Sequence, residues 1–299
     1  MTAAQHIREL LARDTVLMPG VYDALTARIA AQVGFDVVFI SGYSVSASRL
    51  GEPDFGFLTQ TEMADAARAV CRVSRAPVVV DADTGYGNAL NVMRTVGDLQ
   101  DAGAAGLFLE DQVWPKKCGH MAGKRVVEVE EHAAKLRAAV DARGERDLFV
   151  VARTDARQPL GLEAAIERCL VYKEAGADAL FVEAPQSVEE LQRIAEALPP
   201  PLVANMVERG LTPHLSRSEL RQLGFSLIVC PVAALFAAAR AVREVLVELR
   251  ERGTTAGAID RMLAFDDFND LVDLDARYAD EARYAAAEAP VGERGSAPA

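Results

Sequence analysis

The chain is predicted to fold as an α/β structure, a closed (β/α)8 barrel with extra helices after its last strand. Three observations carry that expectation. Short apolar runs alternate with helical stretches eight times between Val16 and Cys230, without a long linker. The runs are continuous rather than alternating, as in strands of a parallel sheet buried on both faces. No glycine-rich dinucleotide fingerprint follows the first run, which speaks against an open doubly wound sheet.

In order, Ile7, Leu10 and Leu11 at helical spacing predict an opening helix over 3–13. The first strand is read as Val16-Leu17-Met18, broken by Pro19-Gly20. A helix from Asp23 then leads through Gly34 to Val37-Val38-Phe39-Ile40. Helices over about 61–75 and 89–102 precede Val78-Val79-Val80-Asp81 and Gly106-Leu107-Phe108-Leu109-Glu110. Later strands fall at 148–153, 179–183, 202–205 and 226–230. Gly103 and Gly176 end helices in two nearly repeated joints. A long Ala-rich helix follows from Val232 to Arg252, and helical patterns continue from Ala256 to about Ala287. One helix closes a barrel, so the surplus reads as an arm that packs on another subunit. The expected organisation is one domain over 1–288 with the arm from about 253, then a flexible tail over 289–299.

A length of 299 residues suits one such barrel, and 51% hydrophobic with only 6% aromatic residues implies a core of Ala, Val and Leu. A net charge of −12 excludes a nucleic-acid partner as the natural expectation. It also repels small carboxylates, so an anionic substrate needs a metal ion or local arginines. Cys71, Cys118, Cys169 and Cys230 form no Cys-x-x-Cys pair, as expected of reduced thiols in a cytoplasmic protein. No apolar run reaches the ~18 residues of a membrane span, so no membrane partner is expected.

In a barrel of this kind the chemistry sits where strands end. The predicted ends carry Ser41-Gly42-Tyr43, Asp81 and Asp83, Glu110 and Asp111, Arg153 and Asp155, Glu183, and Asn205. Strand alternation would put Asp81 and Asp83 on one face, and adding Glu110 makes an oxygen-ligand site for a hard divalent ion. Mg²⁺ suits such a site, with Mn²⁺ as a substitute. Arg153 is the natural clamp for a substrate carboxylate, and Ser41, the Gly42 amide and Asn205 add uncharged donors. Asp111 and Asp155 read as caps or arginine partners. The loop over 112–127 contains Lys116-Lys117-Cys118-Gly119-His120. Its cationic setting is expected to lower the thiol's pKa, and Gly119 and Gly123 offer hinges for a lid that brings Cys118 to the mouth. Trp114 reads as an anchor of the loop, His120 as a tuner of Cys118 or a loop cap, and His6 and His132 as solvated helix residues.

Together these pieces resemble the isocitrate lyase and phosphoenolpyruvate mutase superfamily, within it the methylisocitrate lyase-like branch. The resemblance rests on Asp81-Ala82-Asp83-Thr84-Gly85-Tyr86-Gly87, Glu110-Asp111-Gln112, the Lys116 to His120 loop, Ala152-Arg153-Thr154-Asp155-Ala156, Leu202-Val203-Ala204-Asn205 and Leu50-Gly51-Glu52-Pro53-Asp54, collinear from about 16 to 275. It implies a Mg²⁺-dependent TIM-type barrel acting on small 2-oxo or 2-hydroxy carboxylates. Asp83 would be the main metal ligand, with Asp81, Asp54 and Glu110 acting through waters. Cys118, Arg153 and Tyr43 would be catalytic, and Ser41, Gly42, Tyr43, Asp81, Arg153, Glu183 and Asn205 would bind substrate. Subunits of a homotetramer or homodimer would exchange their last barrel helix. Because mutases and oxaloacetate decarboxylases of the superfamily generally lack the loop cysteine, Cys118 speaks for carbon–carbon cleavage of a 2-methylisocitrate-like or alkylmalate-like substrate. An oxaloacetate hydrolase or decarboxylase and a phosphonate-forming mutase are the alternatives. Two departures bear on the substrate. Phe39 stands where these lyases usually carry a tyrosine, which leaves the hydroxyl base open with Tyr43 as a substitute, and Phe236 stands where they usually carry an arginine.

Overall fold

A computed structural model describes residues 1–285, so the tail expected over 289–299 lies outside the described residues. The chain divides into two compact units, Met1–Val242 and a second beginning at Arg243. In the first, eight parallel strands close into a barrel in sequence order. They are β1 (Val16–Val21), β2 (Val38–Ile40), β3 (Val78–Asp81), β4 (Gly106–Glu110), β5 (Phe149–Thr154), β6 (Ala179–Val182), β7 (Leu202–Asn205) and β8 (Leu227–Cys230). β8 pairs back onto β1, with Val16 opposite Leu227. The (β/α)8 expectation is therefore met.

The helices up to β5 are α1 (Ala3–Arg13), α2 (Ala24–Val33), α3 (Gly42–Val45), α4 (Gln60–Cys71), α5 (Ala89–Ala102) and α6 (Val129–Arg143). After it come α7 (Arg157–Leu160), α8 (Leu162–Glu174), α9 (Val188–Ala197), α10 (Arg217–Leu223) and α11 (Ala233–Arg252). Local chemistry sets their ends. Asn88 caps α5 by accepting from the Leu90 and Asn91 amides, and Gly103, at φ 97, ends it in the left-handed conformation that glycine adopts without a steric penalty.

Why the strand sequences are apolar throughout is visible in their two-sided burial. Val79, Phe108, Val151, Phe181, Val203 and Val229 point into the barrel, where Ala4 and Ile7 of α1 join the same cluster. Their neighbours Val78, Val80, Leu107, Leu109, Val150 and Leu180 point out against the helices. One expectation is corrected. β1 does not break at Pro19-Gly20 but continues to Val21, with Pro19 opposite Cys230 and Gly20 opposite Phe39. One missing N–H is tolerated because pairing on either side holds the register, and a side chain at Gly20 would run into the Pro231 carbonyl.

The second unit holds α11 from Arg243 onward, a 3-10 turn at Ile259–Arg261, α12 (Phe265–Leu271) and α13 (Leu274–Ala285). Within it Arg261 lies 3.9 Å from Glu244 and 3.6 Å from Glu248. Among the described residues no helix is long and apolar enough to cross a membrane.

Candidate active site

The polar groups gather at the C-terminal ends of the strands, but Asp81 and Asp83 converge for a different reason than strand alternation. β3 ends at Asp81, and Asp83 lies beyond it at φ 47, a left-handed conformation that aspartate tolerates better than most residues. The turn brings the two together, with the Asp83 amide donating to Asp81 Oδ1 at 3.2 Å. The Gly42 amide donates to Asp81 Oδ2 at 3.2 Å, and a Cβ there would press on both carboxylates. Ser41 N-caps α3, its Oγ accepting from the Ser44 amide at 3.3 Å. That leaves its hydroxyl proton free to serve the pocket it lines.

Lys116 Nζ lies 2.6 Å from both Asp54 Oδ1 and Asp83 Oδ1. Burial opposes its charge, yet Asp83 and Asp54 hold its pKa well above the usual lysine range. Burial pushes Asp83 up to about 7 despite Lys116, with Asp81 and Asp54 adding repulsion. Burial likewise raises Glu110 well above the carboxylate range, against the pull of Arg153. Neither oxygen of Asp83 or Glu110 accepts an aligned hydrogen bond. Six buried carboxylates, Asp54, Asp81, Asp83, Glu110, Asp155 and Glu183, thus face three cations, Lys116, Lys124 and Arg153. A set of buried, under-satisfied oxygens with excess negative charge fits a hard divalent cation. Among the described residues no three His, Cys, Asp or Glu side chains are already placed to hold an ion, and the Lys116 ammonium lies between Asp54 and Asp83.

Arg153, at the end of β5, is held by more than the barrel. Asp155 accepts from its Nε at 2.8 Å and from its Nη2 at 3.0 Å, while Glu110 and Glu183 each stand 3.3 Å away. Its guanidinium lies over the Phe181 ring, 5.5 Å from the centroid. Burial works against the charge on Glu183, but Arg153, His120 and Lys124 together hold it well below the carboxylate range. Asn205 was expected to offer its amide donors to substrate. It directs Nδ2 to Glu183 instead, at 3.2 and 3.3 Å, and its Oδ1 is left unpaired. Asp111 is a structural hub, accepting from Thr154, Tyr172, Arg168 and the Asp155 amide.

The cysteine loop closes over this mouth from a pinned neck. Gln112 bridges to Val126, the Val113 amide donates to the Arg125 carbonyl at 2.8 Å, and the Val127 amide to the Asp111 carbonyl at 2.9 Å. Inside the neck the Gln112 side chain grips both backbone groups of Lys117, and the Cys118 amide donates to the Asp54 carbonyl at 3.1 Å. Gly119 presses directly on Glu183 and Arg153, where any Cβ would collide. His120 joins a second loop, accepting at Nδ1 from the Leu211 amide at 2.9 Å with Nε2 3.2 Å from Glu183. Trp114 stacks edge-on against Tyr86 at 6.0 Å, consistent with an anchor.

Two sequence expectations reverse here. The cationic loop does not lower the Cys118 pKa: burial pushes the thiol up to about 11, with Asp54 and Glu183 adding to the shift. His132 is not solvated but fully buried against Tyr172, and burial lowers its pKa to about 3. Tyr43 is also raised, by burial and by Cys118 and Asp54, so it enters the site as a phenol donor rather than a ready base. The half-open cavity measures about 240 Å³, and its lining includes Ser41, Asp81, Arg153, Glu183 and Arg209 together with Phe39, Val232 and Phe236. Phe236 meets Tyr43 edge-on at 6.1 Å.

Sequence reasoning missed Lys124, whose side chain is wholly buried 2.8 Å from Asp155, whereas the reading of Asp155 as an arginine partner agrees with the two bonds it accepts from Arg153. The pair Lys124-Arg125 reads in sequence like any solvated basic turn.

This geometry has known relatives. The chain belongs to the phosphoenolpyruvate phosphomutase family, whose model matches residues 7–250. Among individual proteins, it is 56% identical over 90% of its length to an Arabidopsis thaliana chloroplastic carboxyvinyl-carboxyphosphonate phosphorylmutase, covering 80% of that protein. It is 48% identical to the 2,3-dimethylmalate lyase of Eubacterium barkeri, over 92% of this chain and 96% of that one. A solved phosphonopyruvate hydrolase complex with oxalate and Mg²⁺ superposes with a TM-score of 0.86 at 30% identity, over 95% of this chain and all of the other. Other matched proteins are 2-methylisocitrate lyases and an oxaloacetate acetylhydrolase, so the superfamily resemblance holds.

Proposed function

We propose that the chain is a divalent-metal-dependent carbon–carbon lyase that splits an alkyl-substituted 2-hydroxy dicarboxylate into a 2-oxo acid and a second carboxylate. The observation that carries this reading is Cys118: a thiol kept protonated by burial, with its pKa up to about 11, on a lid shut over the carboxylates and Arg153. Cleavage beside a 2-hydroxy acid leaves an electron pair on carbon, and a protonated acid must meet it. A mutase moving a phosphoryl group has no such need.

The ion would be Mg²⁺, the ion present in one solved relative, with Mn²⁺ as a substitute, and Asp83, Asp81, Asp54 and Glu110 are the residues that would hold it. When bound it supplies Lewis-acid stabilisation of the oxygens of the forming 2-oxo acid. Arg153, aimed by Asp155, holds a substrate carboxylate and steadies the same developing charge. Ser41, the neighbouring Gly42 and Tyr43 orient the ligand. As the hydroxyl proton passes to a water at the pocket mouth and the C2–C3 bond breaks, the bond's electron pair passes to C3, and Cys118 Sγ–H protonates that carbon. The resulting thiolate regains a proton from solvent on lid opening.

The apolar residues of the pocket bear on the substrate. Phe236 and Val232 offer apolar surface to an alkyl group, Arg209 is the cation on the same lining that a third carboxylate would need, and about 240 Å³ suits a small molecule. On that apolar lining we favour an alkylated malate, the substrate named for one relative, over methylisocitrate, the substrate named for others. The test is a panel of 2-hydroxy di- and tricarboxylates with Mg²⁺, following 2-oxo acid release. Release from a dialkylmalate in preference to methylisocitrate is expected. Turnover of oxaloacetate alone would favour the hydrolase alternative, and phosphonate formed from phosphoenolpyruvate would favour the mutase.

A further inference from the structure

We propose that Lys124 is a positioning residue, a buried latch that ties the closed lid to the carboxylate that aims Arg153. The inference rests on the lyase reading for its catalytic consequence, but its geometry stands apart from it. The Lys124 side chain has no exposure, and its ammonium pairs with Asp155 Oδ1 at 2.8 Å while donating to the Gly119 carbonyl. A buried ammonium without partners is strongly disfavoured, so these two contacts are what allow it to sit there. Each contact points to a different part of the site. Asp155 Oδ1 is the same oxygen that takes Arg153 Nη2 at 3.0 Å, and Oδ2 takes Arg153 Nε at 2.8 Å. The Gly119 carbonyl belongs to the residue that follows Cys118 and lies flush on Glu183 and Arg153.

One charge therefore sets both the closed position of the thiol and the aim of the guanidinium. Gly123, at φ 75, precedes Lys124, which places the latch at the return hinge of the lid rather than at its moving tip. When the tip lifts, the Gly119 contact breaks and the Asp155 contact can remain. Closure restores a donor to the Gly119 carbonyl and completes the Asp155 cluster together.

The test is iodoacetamide labelling of metal-free, substrate-free protein, followed residue by residue by mass spectrometry, with Cys71 and Cys230 as internal references. Lys124→Met, similar in length but uncharged, should raise the Cys118 labelling rate about tenfold and leave the two references unchanged. Lys124→Arg should restore much of the protection, and Lys124→Gln serves if the methionine variant does not fold. In turnover the same variant should lose kcat more than it raises KM. An unchanged Cys118 rate, or an equal rise at all three cysteines, overturns the latch. Labelling needs no turnover, so absence of lyase activity in the unaltered enzyme would refute the functional reading and leave this result to be judged separately.

Discussion

Cys118 and Gly119 show how little of a residue's chemistry is a property of the residue alone. Two lysines before a thiol and a histidine after it favour its anion in water, yet here the thiol is half-buried in the site and its pKa climbs to about 11. Gly119 matters for the space it leaves. Gly119→Ala would set a methyl group into Glu183 and Arg153, so the lid should stay open and turnover fall by about 100-fold or more while thermal stability changes little. Steady-state kinetics alongside calorimetric melting separates those outcomes. The residue types themselves were legible: Asp81, Asp83, Glu110, Arg153 and Cys118 stood out because each follows an apolar run or interrupts a loop. The direction of the thiol's shift, and the burial of Lys124, depend on what covers them, and that is decided by segments distant in sequence.

At the scale of elements, α6 carries a titration into the core. His132 sits fully buried on the barrel side of that helix, with a pKa of about 3 because burial, then Lys135 and Arg168, disfavour its charged form. An unfolded histidine takes its proton near pH 6.5. Between about 6.5 and 3 the unfolded chain therefore binds a proton that the folded one refuses, and stability falls as the pH falls, by up to a few kcal/mol. His132→Phe keeps the ring against Tyr172 and removes the titration. Its melting temperature should decline less than that of the unaltered protein from pH 6.5 to 4, and parallel declines would refute the assignment. Periodicity alone placed this helix but not its inward face, since neighbouring Glu130, Glu131 and Lys135 make that stretch read as solvated. β1 shows the opposite error, where Pro19 read as a stop although pairing with β2 and β8 carries the strand onward.

For the whole molecule, barrel closure was readable because eight continuous apolar runs demand burial on both faces, which a barrel wrapped in helices provides. The second unit is less complete by itself. Phe265 is 81% exposed, and Ile259 and Leu263 about 60%, an apolar surface that an isolated chain leaves in water. We propose that it serves self-association into a homodimer or homotetramer. Light scattering should give a mass at least twice the 32.1 kDa of one chain, and Phe265→Ser should shift it towards the monomer. A monomeric unaltered protein would end that proposal.

The central claim is that Cys118 hands a proton to carbon as a carbon–carbon bond breaks. It is tested most directly by cleaving 2,3-dimethylmalate in D₂O with Mg²⁺ and reading both products by NMR, for the unaltered enzyme and for Cys118→Ser. The account predicts one deuterium on the former C3 of the carboxylate product and 2-oxo acid in equal amount, with the variant slower by about 100- to 10,000-fold. Cleavage by the variant at the unaltered rate would contradict it.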